Sequence, residues 1–132
     1  MIGLDTNVIV RYLAQDDKVQ SPIATRLMER LTAENPGFVG SVVLAEITWV
    51  MVRAYKKPRE DLANIVEALL RSAELVIENA EAAYRALSIY RASKSIDYAD
   101  ALIAETAALA GARETVTFDA KAAADGGMRL LR

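Results

Sequence analysis

Short apolar segments alternate with longer segments of helical period along this chain, and this alternation constrains the fold more than any other feature. The apolar segments are residues 2–4, 38–40, 75–77, 115–118 and 128–131. They are too short for helices and are separated by stretches long enough for a crossover helix, which parallel strands require. The sequence therefore predicts an α/β fold in which helices cover a parallel sheet. We expect residues 2–4 to form a buried strand at the sheet centre.

Local signals predict six helices between these strands. They are expected over residues 7–14, 22–33, 42–55, 59–72, 80–91 and 98–110. Ser21 before Pro22 is expected to cap the second helix, and Ser41 the third. Lys57 before Pro58 should end the third helix, and Gly111 the last one. No repeat or linker interrupts the pattern, so we expect one domain over residues 1–132.

The composition narrows the chemistry, because the chain has no histidine and no cysteine. Ser-His-Asp and Cys-His catalysis, RNA cleavage by paired histidines, and zinc sites built from Cys or His are excluded. Carboxylate, hydroxyl, Lys/Arg and metal chemistry remain. The lack of disulfides, of a secretory signal and of an apolar run of about 20 residues predicts a soluble, cytoplasmic protein without a membrane segment. The net charge of −2 gives no global attraction to nucleic acid.

Two aspartates fall at predicted strand ends. Asp5 follows the first strand and Asp119 the fourth. In open parallel sheets, ligands bind outside the carboxyl ends of the strands, which makes both residues candidates for a binding site. Taken alone, Asp5 is better explained as the N-cap of the helix that follows it, and Asp119 as an N-cap or a turn residue.

Two more acids lie in predicted helices. Glu46 stands in an apolar segment, residues 42–52, which we expect to be mostly buried. An isolated ionised Glu there costs several kcal/mol unless a cation or donor meets it. Asp100 precedes the apolar residues 101–104, so its helix face should lie near the core. Alternatively, Asp97 caps this helix and Asp100 belongs to a box-like pair favoured by the helix dipole.

Four clustered carboxylates would bind a hard divalent cation through oxygen and would repel one another without it. This is the donor set of a metal-dependent phosphodiesterase. One ion would lower the pKa of a water to generate hydroxide, and a second would stabilise the leaving oxygen. Because hydroxide attacks phosphorus directly, the ribose 2′-OH is not required as the nucleophile, and RNA preference must come from shape and contacts.

Four segments together resemble the PIN-domain ribonucleases of the VapC toxin type. They are LDTNVIVRYL at residues 4–13, SVVLAE at 41–46, DYADALIA at 97–104 and TFD at 117–119. The resemblance spans nearly the whole chain in the family's order. It implies a three-layer α/β/α fold with a central, mostly parallel sheet, and an RNA-cleaving acidic quartet that binds Mg²⁺ or Mn²⁺. It also implies a cognate antitoxin bound at or near the acidic site, and a homodimer.

The resemblance assigns roles to particular residues. The acidic quartet corresponds to Asp5, Glu46, Asp100 and Asp119. We expect Asp5 and Asp100 to be the main metal ligands and Asp119 to complete the shell, while Glu46 ligates or orients the attacking water. Three polar residues are expected to support the acids: Asn7, Thr117 and Asp97. Thr117 is expected to hydrogen-bond to the acids, and Asp97 is expected mainly to cap its helix.

Basic and apolar surfaces give weaker expectations. Candidate contacts to the RNA backbone are Arg11, Arg53, Lys56 and Lys57. The last three form a cluster with Arg59 that is equally well explained as a solvated helix end. The helix around Trp49 and the helix over residues 59–72 are the candidate docking surface for an antitoxin. Residues 120–127 receive no substrate role.

Two alternatives from other classes are open. A PIN-like module could dock RNA or protein without cutting it, although an intact quartet argues against this. A phosphoacceptor receiver domain needs adjacent acids after the first strand and an acceptor Asp after the third, but Glu78 and Asn79 stand there instead. A dinucleotide-binding domain or P-loop is not supported, because no glycine-rich loop follows the first strand.

Overall fold

A computed structural model describes all 132 residues of the chain, and every strand pairing in it is parallel. The strands are β1 (Ile2–Gly3), β2 (Gly37–Val39), β3 (Leu75–Ile77), β4 (Val116–Thr117) and β5 (Arg129–Leu130). The helices are α1 (Thr6–Ala14), α2 (Gln20–Arg30), α3 (Ser41–Arg53), α4 (Arg59–Arg71), α5 (Ala80–Ala92), α6 (Tyr98–Leu109) and α7 (Ala120–Gly126). The predicted α/β class with a parallel sheet is confirmed.

The chain forms two compact units. The first unit comprises Met1–Lys57 and Ala68–Glu78, and the second comprises Pro58–Glu67 and Asn79–Arg132. The boundary falls inside α4, so most of this helix belongs to the second unit and its last turn to the first. Each unit has its own parallel strand pairing.

In the first unit, β1, β2 and β3 form a three-stranded sheet in that order. Gly37 of β2 pairs with Ile2 on one side and with Leu75 on the other. A Cβ atom at Gly37 would lie 2.6 Å from Cδ1 of Leu4 and 3.0 Å from Cδ1 of Leu31, so a larger residue here would force these side chains to shift. Helix α1 packs against α2 and α3. Buried side chains of this unit include Ile9, Val10, Val39, Leu44, Ile47 and Met51.

The expectation that residues 2–4 form a buried central strand is wrong for this sheet. Strand β1 pairs with β2 alone, and β2 occupies the centre. Ile2 is 41% exposed, whereas Leu4, which follows the strand, is buried. The apolar character of the segment therefore reflects the burial of Leu4 beside Gly37, not a central position of β1.

The two predicted serine caps are also wrong. Helix α2 begins at Gln20, because the Asp17 carboxylate accepts hydrogen bonds from the amides of Val19 and Gln20. Ser21 lies within the helix, where its buried hydroxyl donates to the Arg11 carbonyl oxygen. Helix α3 has Gly40 at its N-cap, and a carboxylate from the end of β3 supplies the acceptor for its first amide. That acceptor is Oε1 of Glu78, 2.9 Å from the Ser41 nitrogen.

In the second unit, β4 pairs with β5, and α5 packs against α6. Small residues let these helices approach closely, and the hydroxyl of Tyr98 donates to the Ala83 carbonyl oxygen at 2.9 Å. The Tyr98 ring meets Tyr90 edge-on at 6.1 Å between centroids. Burial raises the pKa of the Tyr98 hydroxyl. The small buried residues are Ala82, Ala83, Ala86, Ala99 and Ala101.

Helix α7 has no counterpart in the expected elements. Asp119 caps it, because Oδ1 of its side chain accepts hydrogen bonds from the amides of Lys121, at 2.8 Å, and Ala122, at 3.4 Å. Ala122 is buried, and Gly127, at φ 70°, takes the left-handed conformation that ends the helix. Gly111 ends α6 in the same conformation, as predicted, at φ 98°.

Candidate active site

Asp5 is both a helix cap and an exposed carboxylate. It follows β1 in an extended conformation and is the N-cap residue of α1, where its Oδ1 atom accepts the Thr6 amide at 2.8 Å. The capping role that explains a lone aspartate is thus present. The side chain is nevertheless exposed, so the cap also holds a carboxylate at the carboxyl end of a strand, where ligands bind in α/β proteins.

Thr6 connects Asp5 to Glu46. Its amide binds the Asp5 side chain, and its hydroxyl donates to Oε1 of Glu46 at 3.0 Å. Thr6 itself is buried, with 7% of its surface exposed. Thr6 was not among the predicted site residues, although a hydroxyl directly after a capping aspartate is a signal that the sequence contains. We call Asp5 and Glu46, joined by Thr6, the first acidic group.

The expectation that Glu46 lies in a mostly buried part of its helix is wrong, because its side chain is exposed. Helix α3 buries only one side, which carries Leu44, Ile47, Thr48 and Met51. Its other side exposes large apolar residues to solvent. These are Val42 at 74%, Trp49 at 46% and Val52 at 42% exposure. The candidacy of Glu46 therefore rests on its bond to Thr6 and not on the cost of a buried charge.

Asp97, Asp100 and Asp119 form the second acidic group, in the second unit. Asp100 lies in the first turn of α6 and is half-buried. Burial raises the pKa of its carboxyl, and the negative charges of Asp97 and Asp119 raise it further. No Lys or Arg is among these causes. Asp97 and Asp119 therefore both lie within electrostatic reach of Asp100.

Two supporting residues of this group differ in detail from the expectation. Asp97 occupies the N-cap position of α6, but its side chain makes no capping hydrogen bond. Thr117 does bond to an acidic residue, since its hydroxyl oxygen accepts the Asp119 amide at 3.0 Å. That bond fixes the backbone of Asp119, while the carboxylate of Asp119 is held by the first amides of α7.

The turn that precedes Asp97 is held from both sides. The Arg59 guanidinium donates to the carbonyl oxygens of Tyr90, Ser93 and Ile96 at 2.9, 3.3 and 2.8 Å, and it stacks 3.9 Å from the Tyr90 ring centroid. On the other side, the carboxylate of Asp125 accepts hydrogen bonds from the hydroxyls of Ser93 and Ser95.

These bonds tie the turn to α7. The hydroxyls of Ser95 and Ser93 lower the pKa of the Asp125 carboxyl. Because Asp119 starts α7 and Asp125 lies in its last turn, the same turn connects Asp97 and Asp119.

Of the four basic residues predicted to contact RNA, two already contact other side chains of the protein. Arg11 donates to Oε1 of Gln20 at 2.7 Å and lies 4.0 Å from Asp16. It also lines a cleft of about 310 Å³ between α1 and α2, together with Asn7. Arg53 stacks on Trp49 at 5.4 Å. Lys56 and Lys57 are exposed.

The donor chemistry of both acidic groups fits Mg²⁺ or Mn²⁺. Hard cations of this kind take oxygen ligands, and both groups are built from carboxylates. Burial first, and then the negative charges of Asp97 and Asp119, raise the pKa of the Asp100 carboxyl, and a bound cation would favour its ionised form. Within each unit, no three such side chains converge closely enough to hold a metal ion by themselves.

The fold and these groups define a class, an α/β protein with carboxylates at the carboxyl ends of parallel strands. A model of the PIN domain family matches residues 2–125, so the chain belongs to the PIN domain family. Domains of this family are generally metal-dependent nucleases that act on nucleic acids with divalent ions such as Mg²⁺. No curated protein and no solved structure gives a match.

None of the helices has the length and apolar character that crossing a membrane requires.

Proposed function

We propose that residues 1–132 form a single nuclease domain that hydrolyses RNA phosphodiester bonds with Mg²⁺ or Mn²⁺. The observation that carries the proposal is the half-buried carboxyl of Asp100, whose pKa is raised by burial and then by the negative charges of Asp97 and Asp119. An arrangement of this kind is unfavourable for a protein alone and favourable for one that binds a divalent ion. Membership of a nuclease family supports the same conclusion.

The catalytic residues in this proposal are Asp5, Glu46, Asp100 and Asp119. A bound divalent ion would supply an activated water and neutralise charge at the phosphate. Asp5 and Asp100 would be the main ligands of this ion, and Asp119 would complete its shell. Glu46 would ligate the ion or orient the attacking water, and its bond to Thr6 fixes the direction of its carboxylate.

Three further residues support the acids. Thr117 fixes the backbone at Asp119, and Asp97 adds negative charge beside Asp100. Asn7 is a polar position close to Asp5 in sequence. Exposed Lys56 and Lys57 are candidates to contact the RNA backbone, because each carries a charge that phosphates attract.

Cleavage of a mixed tRNA and mRNA pool tests this proposal. We expect wild-type protein to cut RNA in Mg²⁺ or Mn²⁺, and both EDTA and Asp100→Asn to abolish cutting. Glu105→Gln is the matched control, since it neutralises an acid on the same helix outside the second acidic group, and it should cut normally. Equal activity of wild type and Asp100→Asn would contradict the assignment.

We further propose that the nuclease is a VapC-type toxin whose cognate antitoxin and second copy bind apolar surface. Helix α3 supports this, because it exposes Val42, Trp49 and Val52 on one side. Helix α4 gives less support than expected, since most of its apolar residues are already buried. These are Leu62, Ala63, Val66, Leu69 and Leu70.

Trp49→Glu tests the docking surface. We expect this variant to lose a co-purified antitoxin or to become monomeric while it stays folded. Val19→Glu is the control, because Val19 is 69% exposed and lies outside α3. If Trp49→Glu retains both the partner and the dimer, the proposed surface is wrong.

A PIN-like module that docks RNA or protein without cutting it is the second candidate function. It is favoured by one observation, that within each unit no three acids converge closely enough to hold a metal ion by themselves. Tight RNA binding in EDTA by a folded wild type that never cuts RNA would support this module over the nuclease.

A further inference from the structure

Phe118 is the most exposed large hydrophobic residue of the chain, at 82%. It stands between β4 and Asp119, the N-cap residue of α7. Burying a Phe side chain is favourable, yet this ring is not buried in the protein core. An exposed aromatic ring directly beside a candidate site carboxylate calls for a ligand that covers it.

The backbone around Phe118 is fixed on both sides. The Leu131 amide donates to the Thr117 carbonyl oxygen at 2.8 Å, and the Asp119 amide donates to the Thr117 hydroxyl at 3.0 Å. The Asp119 side chain is in turn bonded to Lys121 and Ala122. The ring is therefore displayed on an ordered turn, so that binding a flat ligand costs little backbone entropy.

The surroundings of Phe118 favour a small planar ligand over a protein partner. A stable protein interface needs about 800 Å² on each side. From β4 to the end of the chain, however, Val116 is the only other exposed large apolar residue. Residues 119–121 next to the ring are exposed and include Asp119 and Lys121. A single exposed ring flanked in the chain by polar residues suits stacking better than an extended apolar contact.

We propose that Phe118 stacks on a nucleobase of single-stranded RNA next to the phosphate bound at the second acidic group. This rests on the proposed nuclease function and adds a base-binding subsite to it. A cation held by Asp100 and Asp119 would attract the charged phosphate, and the neighbouring Phe118 ring would contact the uncharged base. Stacking on an aromatic ring accepts every base, so Phe118 contributes affinity for unpaired RNA and little sequence preference.

Kinetics with a single-stranded RNA oligonucleotide test the subsite. We expect Phe118→Ala to raise KM about 5- to 100-fold, with kcat within about twofold of wild type. Phe118→Trp should restore KM, and Phe118→Leu should not, because only the aromatic ring stacks. Val116→Ala is the control, an exposed apolar residue of the same segment without a π face, and should leave KM unchanged.

A second measurement does not depend on cleavage. Trp49 is the only tryptophan of the chain, so the double variant Trp49→Phe, Phe118→Trp carries one fluorescent ring at position 118. We expect oligouridine RNA to quench this fluorescence in EDTA or in Mg²⁺, and the same backbone with abasic residues not to quench it.

Different results would contradict the nuclease function and the base-binding subsite. Quenching without cleavage would support the base-binding subsite and contradict the proposed nuclease function. Normal cleavage with an unchanged KM in Phe118→Ala would contradict the base-binding subsite and would leave the proposed nuclease function standing. Equal quenching by abasic RNA, or a change of oligomeric state in Phe118→Ala, would also overturn the stacking role.

Discussion

Replacing Arg59 should destabilise the second unit more than any other single charge removal on α4. In Arg59→Met, the apolar stem is kept, but three carbonyl oxygens at the end of α5 and in the following turn lose their donor. Two of these bonds are short, at 2.8 and 2.9 Å. Because Arg59 is half-buried and lines an open cleft of about 330 Å³, water can replace part of what is lost.

The expected cost follows from these contacts. Allowing about 1 kcal/mol for each short bond and about 0.5–1 kcal/mol for stacking on Tyr90, we predict a loss of about 2–3 kcal/mol in the free energy of unfolding. Arg59→Lys should fall between this variant and wild type, because a lysine cannot reach three acceptors in a fork.

Urea unfolding followed by far-UV circular dichroism measures this loss, with a lower midpoint and an unchanged slope as the expected result. Arg91→Met is the matched control. Arg91 bonds to Glu67 and Asn64 at an exposed surface, where such pairs contribute about 0–1 kcal/mol. If Arg59→Met is no more costly than Arg91→Met, the guanidinium does not hold the turn before Asp97.

Three further predictions concern the acids and the sheet. Thr6→Val should lower the free energy of unfolding by about 0.5–1.5 kcal/mol and reduce cleavage, because Glu46 loses its donor. Gly37→Ala should cost about 1–3 kcal/mol by overpacking, whereas Gly3→Ala, where an added Cβ meets nothing within 4 Å, should cost nothing measurable by the same urea titration. The raised pKa of Asp100 means that the folded state binds its proton more tightly than the unfolded state, so stability falls as pH rises from the ordinary value of 3.8 through the raised value. Asp100→Asn should therefore be more stable than metal-free wild type at pH 7, and the advantage should vanish below pH 3.8; a constant difference across this range would contradict the sign.

Sequence patterns located most elements because their signals are local. Leu75–Ile77 is a strand as predicted, and α6 ends before Gly111 as its position suggested. Helix α7 was missed, since its alanine-rich sequence has no apolar period and its start depends on the Asp119 cap. The caps of α2 and α3 were misplaced because their acceptors, Asp17 and Glu78, lie outside the expected cap positions.

The site residues show the same division between local and long-range information. The raised pKa of Asp100 agrees with an acid near the core. The exposure of Glu46 could not be read from a helix that is apolar on nearly all sides, because composition does not tell which side is covered. The bond from Thr6 to Glu46 joins residues 40 positions apart, and only the folded chain reveals it.

The central claim is that carboxylates of this chain direct metal-dependent hydrolysis of RNA, and the ends of the cleavage products test it most directly. An end-labelled RNA would be cut with Mg²⁺ by wild type and by Glu105→Gln, and the new termini identified, beside EDTA and Asp100→Asn reactions. The account predicts termini without a 2′,3′-cyclic phosphate, continued cutting when the 2′-OH at the cut site is replaced by hydrogen, and no cutting in EDTA or by Asp100→Asn. Cyclic phosphate termini, or cutting that persists in EDTA, would contradict it.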